Sequence, residues 1–388
     1  METKELKIFF DLINNAVFEE KISEETKEGF LESMLPSFYS LAQKHDLAHL
    51  IGYAIGSNGI KINNDYSDKF KKLNIMAVMR YEQLKYELNN LSNSLEKNKI
   101  PFIPLKGSVI RNYYKYPYMR TSCDIDVLIH EEDKEKAVKC LINECGYKKE
   151  GEGSHDVSLF TEGGRHIELH FDLVEKDRAN NANSILKTVW EDVKLKKGYS
   201  YLYEMSDEFF YIYHIAHMAK HFENGGCGIR PFIDIKVLSS IPHNRAKREE
   251  LLKKAELLTF AKAAENLSKA WFDKKEYDEL SLKMQSYILT GGVYGTNTNR
   301  ITVQQQKHGG KIKYALNKIF LPYDIIKFHY PVLKKHKWLM PLMQVRRWCK
   351  LIFLGGMKRS VNELKINSHV SDENKAETVK MLNQLEIK

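Results

Sequence analysis

The run Cys123-Asp124-Ile125-Asp126-Val127-Leu128-Ile129 combines an apolar strand pattern with two acidic residues. Side chains alternate in direction along a strand, so both carboxylates leave one face while Ile125 and Val127 enter the core. Two carboxylates about 6–7 Å apart on that face repel each other by roughly 3 kcal/mol at an effective dielectric near 20. Such a pair calls for a neutralising cation, and Mg²⁺, which prefers carboxylate and phosphate oxygens, is the natural one.

Short β-type runs lie on both sides of this strand. Ile100–Leu105 precedes it, and Val157–Thr161 and Arg165–Phe171 follow it, with Gly-containing turns between them. A helix is predicted from Glu131, with acids in its first turn, to Gly146, a typical C-cap residue. This part of the chain is therefore predicted to be a unit of strands and helices.

Helical spacing of apolar residues dominates both flanks of that unit. We predict a helical N-terminal region at residues 1–98, the sheet-containing unit at 99–200 and a helical C-terminal domain at 201–388. Within the last part, the stretch Arg248–Ala270 is predicted to be one helix.

A third acid lies in a later strand, in the apolar–acid–apolar pattern Ile167-Glu168-Leu169. Alternation places Glu168 on the face opposite its neighbours, where an isolated acid costs stability. If the two acidic strands are adjacent, Glu168 either completes the metal site or takes the proton of an attacking hydroxyl. Both roles are compatible with the sequence.

The turn Leu105-Lys106-Gly107-Ser108 ends the first strand and opens a short helical stretch, Ser108–Tyr114. Gly allows close backbone approach, Ser offers a hydroxyl, and a helix N-terminus presents free N–H groups to an anion. Lys106 and Arg120 flank the turn as cations that balance phosphate charge. We therefore predict a phosphate cradle formed by Lys106, Gly107, Ser108 and Arg120.

Taken together, Gly107-Ser108, Asp124-Ile125-Asp126 and Glu168 resemble, in order, spacing and strand context, the signature of the DNA polymerase beta-like nucleotidyltransferase superfamily. The resemblance implies that Gly107 and Ser108 bind nucleotide phosphates. It implies that Asp124 and Asp126 bind two Mg²⁺ ions, and that Glu168 supports them as a metal ligand or base.

A narrower resemblance rests on Leu105-Lys106-Gly107, on Arg120 before the paired aspartates, and on the strand Ile167-Glu168-Leu169-His170. These residues look like the bacterial uncharacterised nucleotidyltransferase family, whose members carry helices on both sides of the catalytic unit. The implied fold class is α+β, with a small mixed β-sheet nucleotidyltransferase core between helical regions. The implied reaction is Mg²⁺-dependent transfer of a nucleoside monophosphate from a nucleoside triphosphate such as ATP to a hydroxyl of a small molecule, RNA or protein, releasing pyrophosphate.

Histidines recur on one helix face at His214, His217 and His221. We interpret them mainly as hydrogen-bonding residues of a packed helix, because no acid or cysteine at ligand spacing completes a metal site. A zinc hydrolase would need such a site. His217 and His221, with Arg230 and Asp234, also resemble a His…Arg…Asp pattern of the narrower family and are candidates for the substrate cleft.

The segment 300–360 holds fourteen Lys or Arg and a single acid, Asp324, so its net charge is +13. Three interpretations compete. The segment binds an RNA end through its aromatic and basic residues, lies on an anionic membrane surface, or packs a helical domain whose lysines are solvated. A non-catalytic RNA- or membrane-surface-binding protein is accordingly the alternative to an enzyme.

No stretch of the sequence approaches the ~18 apolar residues that a membrane span requires, and the opening residues 1–10 do not resemble a signal peptide. Five cysteines without a C-x-x-C pair are predicted to be reduced. These features predict a cytoplasmic protein.

Overall fold

The computed structural model describes residues 3–62, 65–174, 182–353 and 357–387. The chain forms two compact units. The first comprises Met1–Ala219 and Ile229–Gln285, and the second comprises Lys220–Gly228 and Ser286–Lys388. The three-part division at residues 98 and 200 stays a prediction.

Five helices precede the sheet: α1 (Thr3–Phe18), α2 (Glu24–Gly29), α3 (Leu35–Lys44), α4 (Ala48–Ser57) and α5 (Tyr66–Lys97). Apolar residues of α5 recur at helical spacing, and Leu84, Leu91 and Leu95 are buried. This spacing packs one side of α5 against the sheet that follows.

The main sheet has five strands: β1 (Phe102–Pro104), β2 (Asp124–Ile129), β3 (Lys148–Glu152), β4 (Asp156–Phe160) and β5 (His166–His170). Their order is β1-β2-β5-β4-β3. Only β2 and β5 pair in parallel, and the other neighbours are antiparallel. Helices α6 (Gly107–Ile110) and α7 (Lys134–Cys145) connect the first three strands. The sheet is therefore mixed, as predicted.

One face of this sheet is covered by α5 and α7, whose apolar residues share a core with alternate strand residues. Ile125 and Val127 of β2 and Ile167 and Leu169 of β5 belong to that core. Because strand side chains alternate, the residues between them leave the opposite face. This alternation sets the acidic residues apart from the apolar core.

A small antiparallel pair, β6 (Val193–Leu195) and β7 (Tyr203–Met205), lies beside β1. The amide of Phe102 donates to the Tyr201 carbonyl at 2.9 Å. This bond covers part of an edge strand that would otherwise present unpaired backbone groups.

The remaining helices are α8 (Ala182–Leu186), α9 (Asp207–Glu223), α10 (Arg230–Ser240), α11 (Arg245–Lys254), α12 (Leu258–Phe272), α13 (Glu279–Leu289), α14 (Asn297–Lys307), α15 (Lys311–Ile319), α16 (Tyr323–His329), α17 (Met340–Phe353), α18 (Met357–His369) and α19 (Asp372–Gln384). The fold class is α+β, with a small mixed sheet flanked by helices.

The prediction of a single helix at Arg248–Ala270 is wrong, because α11 ends before α12 begins. Glu256 adopts a left-handed φ of 52°, and the amide of Leu257 bonds back to the Leu252 carbonyl at 2.9 Å. This is a helix-ending motif that usually contains Gly. With Glu in that position, the sequence carries no stop signal, and apolar spacing continues across the turn.

Two further sequence features are visible in the structure. Within the described residues, no helix combines the length and the apolar character needed to cross a membrane. In the structure all five cysteines are free, and Cys140 and Cys227 are buried.

Candidate active site

The parallel pairing of β2 and β5 brings the predicted acids together. In its register, Asp126 lies opposite Glu168, and Asp124 lies opposite His166. Asp126 is almost fully buried, whereas Asp124 and Glu168 are partly exposed. The three carboxylates thus occupy one face of two neighbouring strands, on the side away from α5 and α7.

His170 joins this group, although it was not among the residues selected from the sequence as catalytic. Its Nε2 atom lies 3.0 Å from Asp126 Oδ1 and 3.3 Å from Glu168 Oε2. One ligand atom each of Asp126, Glu168 and His170 lie within 4.8 Å of one another. The sequence does carry a signal for His170, because a residue two positions after Glu168 in a strand lies on the same face of the sheet.

Lys106 supplies the positive charge of the cluster. Its Nζ atom lies 2.7 Å from Asp126 Oδ1 and 3.7 Å from Glu168 Oε2. Burial alone would lower the pKa of Lys106, but the charges of Asp126 and Glu168, the nearby Tyr213 and the hydrogen bond to Asp126 together raise that pKa. Lys106 is therefore a cation held against the carboxylates.

The two aspartates have opposite pKa shifts. Burial and the negative charge of Asp126 raise the pKa of Asp124. Burial also acts to raise the pKa of Asp126, but the Lys106 ammonium and the hydrogen bond of His170 hold it well below its usual range. His170 itself is buried, which disfavours its charge, yet its bonds to Asp126 and Glu168 raise its pKa. Neighbouring groups whose pKa values are shifted by burial and by each other's charge are typical of functional sites.

The predicted phosphate turn is packed tightly against the segment that enters β2. A Cβ atom on Gly107 would lie 3.0 Å from both Cβ and Oγ of Ser122. The buried Arg111 guanidinium donates to the Gly107 carbonyl at 2.5 Å and to the Ser122 hydroxyl. Arg111 was not among the predicted site residues, and it joins the turn to the start of the acidic strand.

Substituting Gly107 by Ala is expected to lower the free energy of unfolding by about 1–3 kcal/mol, because the added methyl group overpacks against Ser122. Gly56→Ala is the matched control. Gly56 lies in α4 with no atom near an added Cβ, so Ala there is expected to stabilise the protein by about 0.5–1 kcal/mol. Urea unfolding checks both values. Equal effects at the two glycines would contradict the close packing.

The predicted residues Arg120 and Asp234 form a buried ion pair. Arg120 Nε donates to Asp234 Oδ1 at 2.9 Å, and Nη2 donates to Oδ2 at 2.8 Å. The Tyr114 hydroxyl also donates to Asp234 Oδ1, at 2.6 Å. Burial acts to raise the pKa of Asp234, but Arg120 lowers it overall. The guanidinium group of Arg120 is therefore paired with a carboxylate 114 residues away in the sequence. A role of Arg120 in nucleotide binding stays a prediction.

Arg230 lies next to this pair in the hydrogen-bond network. It donates to Asp46 Oδ2 at 2.9 Å and to the Thr121 carbonyl at 2.8 Å. Thr121 Oγ1 in turn donates to Asp46 Oδ2 at 2.7 Å. Both arginines thus hold the stretch just before β2, which orients the strand that carries Asp124.

The histidines of α9 have different surroundings. His214 Nε2 lies 3.1 Å from the Pro231 carbonyl oxygen. The ring of His217 lies 6.4 Å from that of Tyr213, and the ring of His221 lies 6.1 Å from that of Tyr294. Among the described residues, the only group placed to hold a metal ion is the one containing Asp126. The assignment of His217, His221, Arg230 and Asp234 to a substrate cleft stays a prediction.

A cavity of about 320 Å³ borders the phosphate turn. Ser108 lines it together with tyrosines and lysines from α5 and the β6–β7 pair, including Tyr81, Tyr203 and Lys194. None of the carboxylate-cluster residues is among its lining. The cavity therefore adjoins the turn but not the acids.

Comparison with known proteins bears directly on this site. The family model described as uncharacterised nucleotidyltransferase matches residues 33–270, more than half of the chain and all of the predicted site. No curated protein and no solved structure matches significantly. With the match spanning both the helical flank and the acidic strands, the chain belongs to the uncharacterised nucleotidyltransferase family and is a transferase enzyme.

Proposed function

We propose that this enzyme transfers a nucleoside monophosphate from a nucleoside triphosphate to an acceptor hydroxyl, with Mg²⁺ as its cofactor and pyrophosphate as the second product. The observation that carries the proposal is the pairing of Asp126 with Glu168 on adjacent parallel strands, beside Asp124 and Lys106. Carboxylates this close together are suited to binding a divalent cation that also binds the oxygens of a polyphosphate.

The donor set fits a hard divalent cation. Asp126 and Glu168 offer carboxylate oxygens within 4.8 Å of each other, and Asp124 offers another from the same strand face two positions earlier. Asp124 and Glu168 remain partly exposed, so an entering phosphate has access. His170 Nε2 bonds to both Asp126 and Glu168 and would hold their orientation. When bound, Mg²⁺ supplies charge neutralisation at the reacting phosphate and at the leaving pyrophosphate.

The chemistry needs one proton acceptor and one in-line displacement. The acceptor oxygen forms a bond to the α-phosphorus, and the bond from that phosphorus to the bridging oxygen of the β-phosphate breaks. The hydroxyl proton passes to a base, and pyrophosphate leaves with the bonding electrons. Glu168 has two candidate roles here, as that base or as a metal ligand. Gly107 and Ser108 are proposed to hold the phosphates.

Lys106 is proposed to form ion pairs with the carboxylates until the substrate binds. An ammonium group 2.7 Å from Asp126 competes directly with a divalent cation for the same oxygen. Once the triphosphate is present, the same charge is available to its oxygens.

Lys106→Ala is therefore expected to have opposite effects on two measurements. Removing the competing charge tightens Mn²⁺ binding in the absence of nucleotide by roughly tenfold or more, while removing a phosphate partner lowers transfer. Titration calorimetry with Mn²⁺ and the transfer assay check the two effects. Lys71→Ala, on the exposed side of α5 and outside the cavity that borders the phosphate turn, is the control. Weaker Mn²⁺ binding in Lys106→Ala would contradict the competition.

The experiment that tests the function incubates purified protein with Mg²⁺ and each of the four radiolabelled nucleoside triphosphates. Whole-cell RNA, protein and small-molecule fractions are supplied as acceptors. The expected result is label transfer by the native enzyme but not by Asp124→Ala/Asp126→Ala, which identifies the nucleotide and the acceptor class together. Equal transfer by a folded double variant would overturn the assignment of the aspartates.

A further inference from the structure

Helix α15 of the second compact unit exposes an apolar stripe. Ile312, Leu316 and Ile319 fall at positions i, i+4 and i+7, so they share one helix face. All three are exposed, and Ile312 reaches 77%. Tyr314, on the opposite side of the helix, is buried in a small core with Ile301. The helix therefore has its own core on one side and a second apolar side in solvent.

Helix α17 repeats this arrangement. Leu342, Val345 and Ile352 share a face and are all exposed. Met343 and Gln344, which lie on the other side, are buried. Both helices therefore have a packed side and an exposed apolar side. If the segment only packed a helical domain, its exposed side would carry solvated lysines rather than apolar stripes.

The two helices are joined by specific bonds. The guanidinium group of Arg347 donates to the carbonyls of Lys318 at 2.8 Å and Ile319 at 2.9 Å. The indole nitrogen of Trp348 donates to the Ile319 carbonyl at 2.9 Å. We call the exposed apolar residues of this pair the α15–α17 surface: Ile312, Leu316, Ile319, Leu342, Val345, Ile352 and Phe353.

Positive charge borders the apolar stripes. Lys313 follows Ile312 on the exposed side of α15. Arg346 lies beside the stripe of α17, four residues after Leu342, and Lys350 is exposed one turn later. Segment 300–360 as a whole carries a net charge of +13. Trp338, just before α17, is 76% exposed. Apolar stripes flanked by Lys and Arg, with an accessible Trp, are typical of helices that lie in a membrane interface.

We propose that the α15–α17 surface binds the surface of an anionic phospholipid membrane. Hydrocarbon accepts the aliphatic side chains, while the anionic headgroups pair with the flanking cations. RNA fits less well, because six of these seven residues are aliphatic and Phe353 is the one ring that the surface offers for base stacking. A second copy fits less well because it would bring a second +13 segment to the same interface.

Vesicle sedimentation of the full chain tests the proposal. One set of vesicles contains phosphatidylcholine alone, and the other contains about 30% phosphatidylglycerol, which supplies the anionic surface. The native chain is expected to bind only the anionic vesicles, and more weakly at high salt. Leu342→Asn/Ile352→Asn and Arg346→Ala/Lys350→Ala are each expected to weaken binding about tenfold or more.

Leu282→Asn is the matched control, because Leu282 has similar exposure and lies on α13, outside the surface. It is expected to bind vesicles as the native chain does. Circular dichroism confirms that each variant is folded. Equal binding to both vesicle types, or native binding by both double variants, would overturn the proposal. So would binding to poly(U) that depends on the same residues, or a dimer in solution that Leu342→Asn/Ile352→Asn dissociates.

Discussion

Replacing Asp126 by Asn is expected to lower nucleotidyl transfer by roughly a thousandfold, with little change in fold. Asp126 is the most buried of the three acids and touches both Lys106 and His170. Asn keeps the size of the side chain and one acceptor oxygen, so packing and the Lys106 contact survive. On the proposed function, the lost negative charge removes a partner of the Mg²⁺ ion, and losses in rate of about 10²–10³ follow from removing one such electrostatic group.

Initial rates at saturating Mg²⁺ and nucleotide measure this effect. Glu135→Gln is the matched control, since it removes the charge of an exposed carboxylate on α7 and is expected to leave the rate unchanged. Thermal unfolding of both variants separates lost chemistry from lost structure. A folded Asp126→Asn enzyme that keeps more than about a tenth of the native rate would remove Asp126 from the catalytic centre.

Asp234→Ala is expected to lower the free energy of unfolding by about 3–5 kcal/mol, because it leaves Arg120 buried without a counter-charge. The loss of a fully buried carboxylate also deprives the Tyr114 hydroxyl of its acceptor. Replacing both partners, as in Arg120→Met/Asp234→Leu, is expected to recover much of that loss, because no isolated charge remains. Urea unfolding checks the series.

Glu250→Ala is the surface control for this ion pair. Glu250 contacts Lys254 at 2.7 Å, but both side chains are largely exposed. Removing the Glu250 carboxylate is therefore expected to leave the free energy of unfolding nearly unchanged. An Asp234→Ala protein as stable as the native one would show that Arg120 finds another partner.

The same ion pair predicts the direction of an acid effect. Because the pKa of Asp234 is lower in the folded protein than in the unfolded chain, the pair contributes its full stability above about pH 3.9. That contribution is lost as the pH falls through the folded pKa. Acid unfolding is monitored by circular dichroism for the native protein and for Arg120→Met/Asp234→Leu. The free energy of unfolding of the native protein is expected to fall relative to that of the double variant as the pH drops below about 3.9.

Several elements were predictable because their signals are local. Alternation along β2 places Asp124 and Asp126 on one face, and Gly146 ends α7 in the left-handed conformation expected of a C-cap. The same alternation within β5 would have identified His170. By contrast, β3 is exposed along its whole length, so it has no apolar pattern, and Glu256 ends α11 without the usual Gly.

The sequence by itself determined the class of the fold, the family and the face on which each acid lies, since these depend on residue order and on side-chain alternation. Only the tertiary structure decided that β5 crosses to pair with β2, that Lys106 contacts Asp126, and that Arg120 contacts Asp234. The physical reason is distance along the chain. Strand order and buried ion pairs are set by how whole elements pack around a shared core, and no local pattern records that packing.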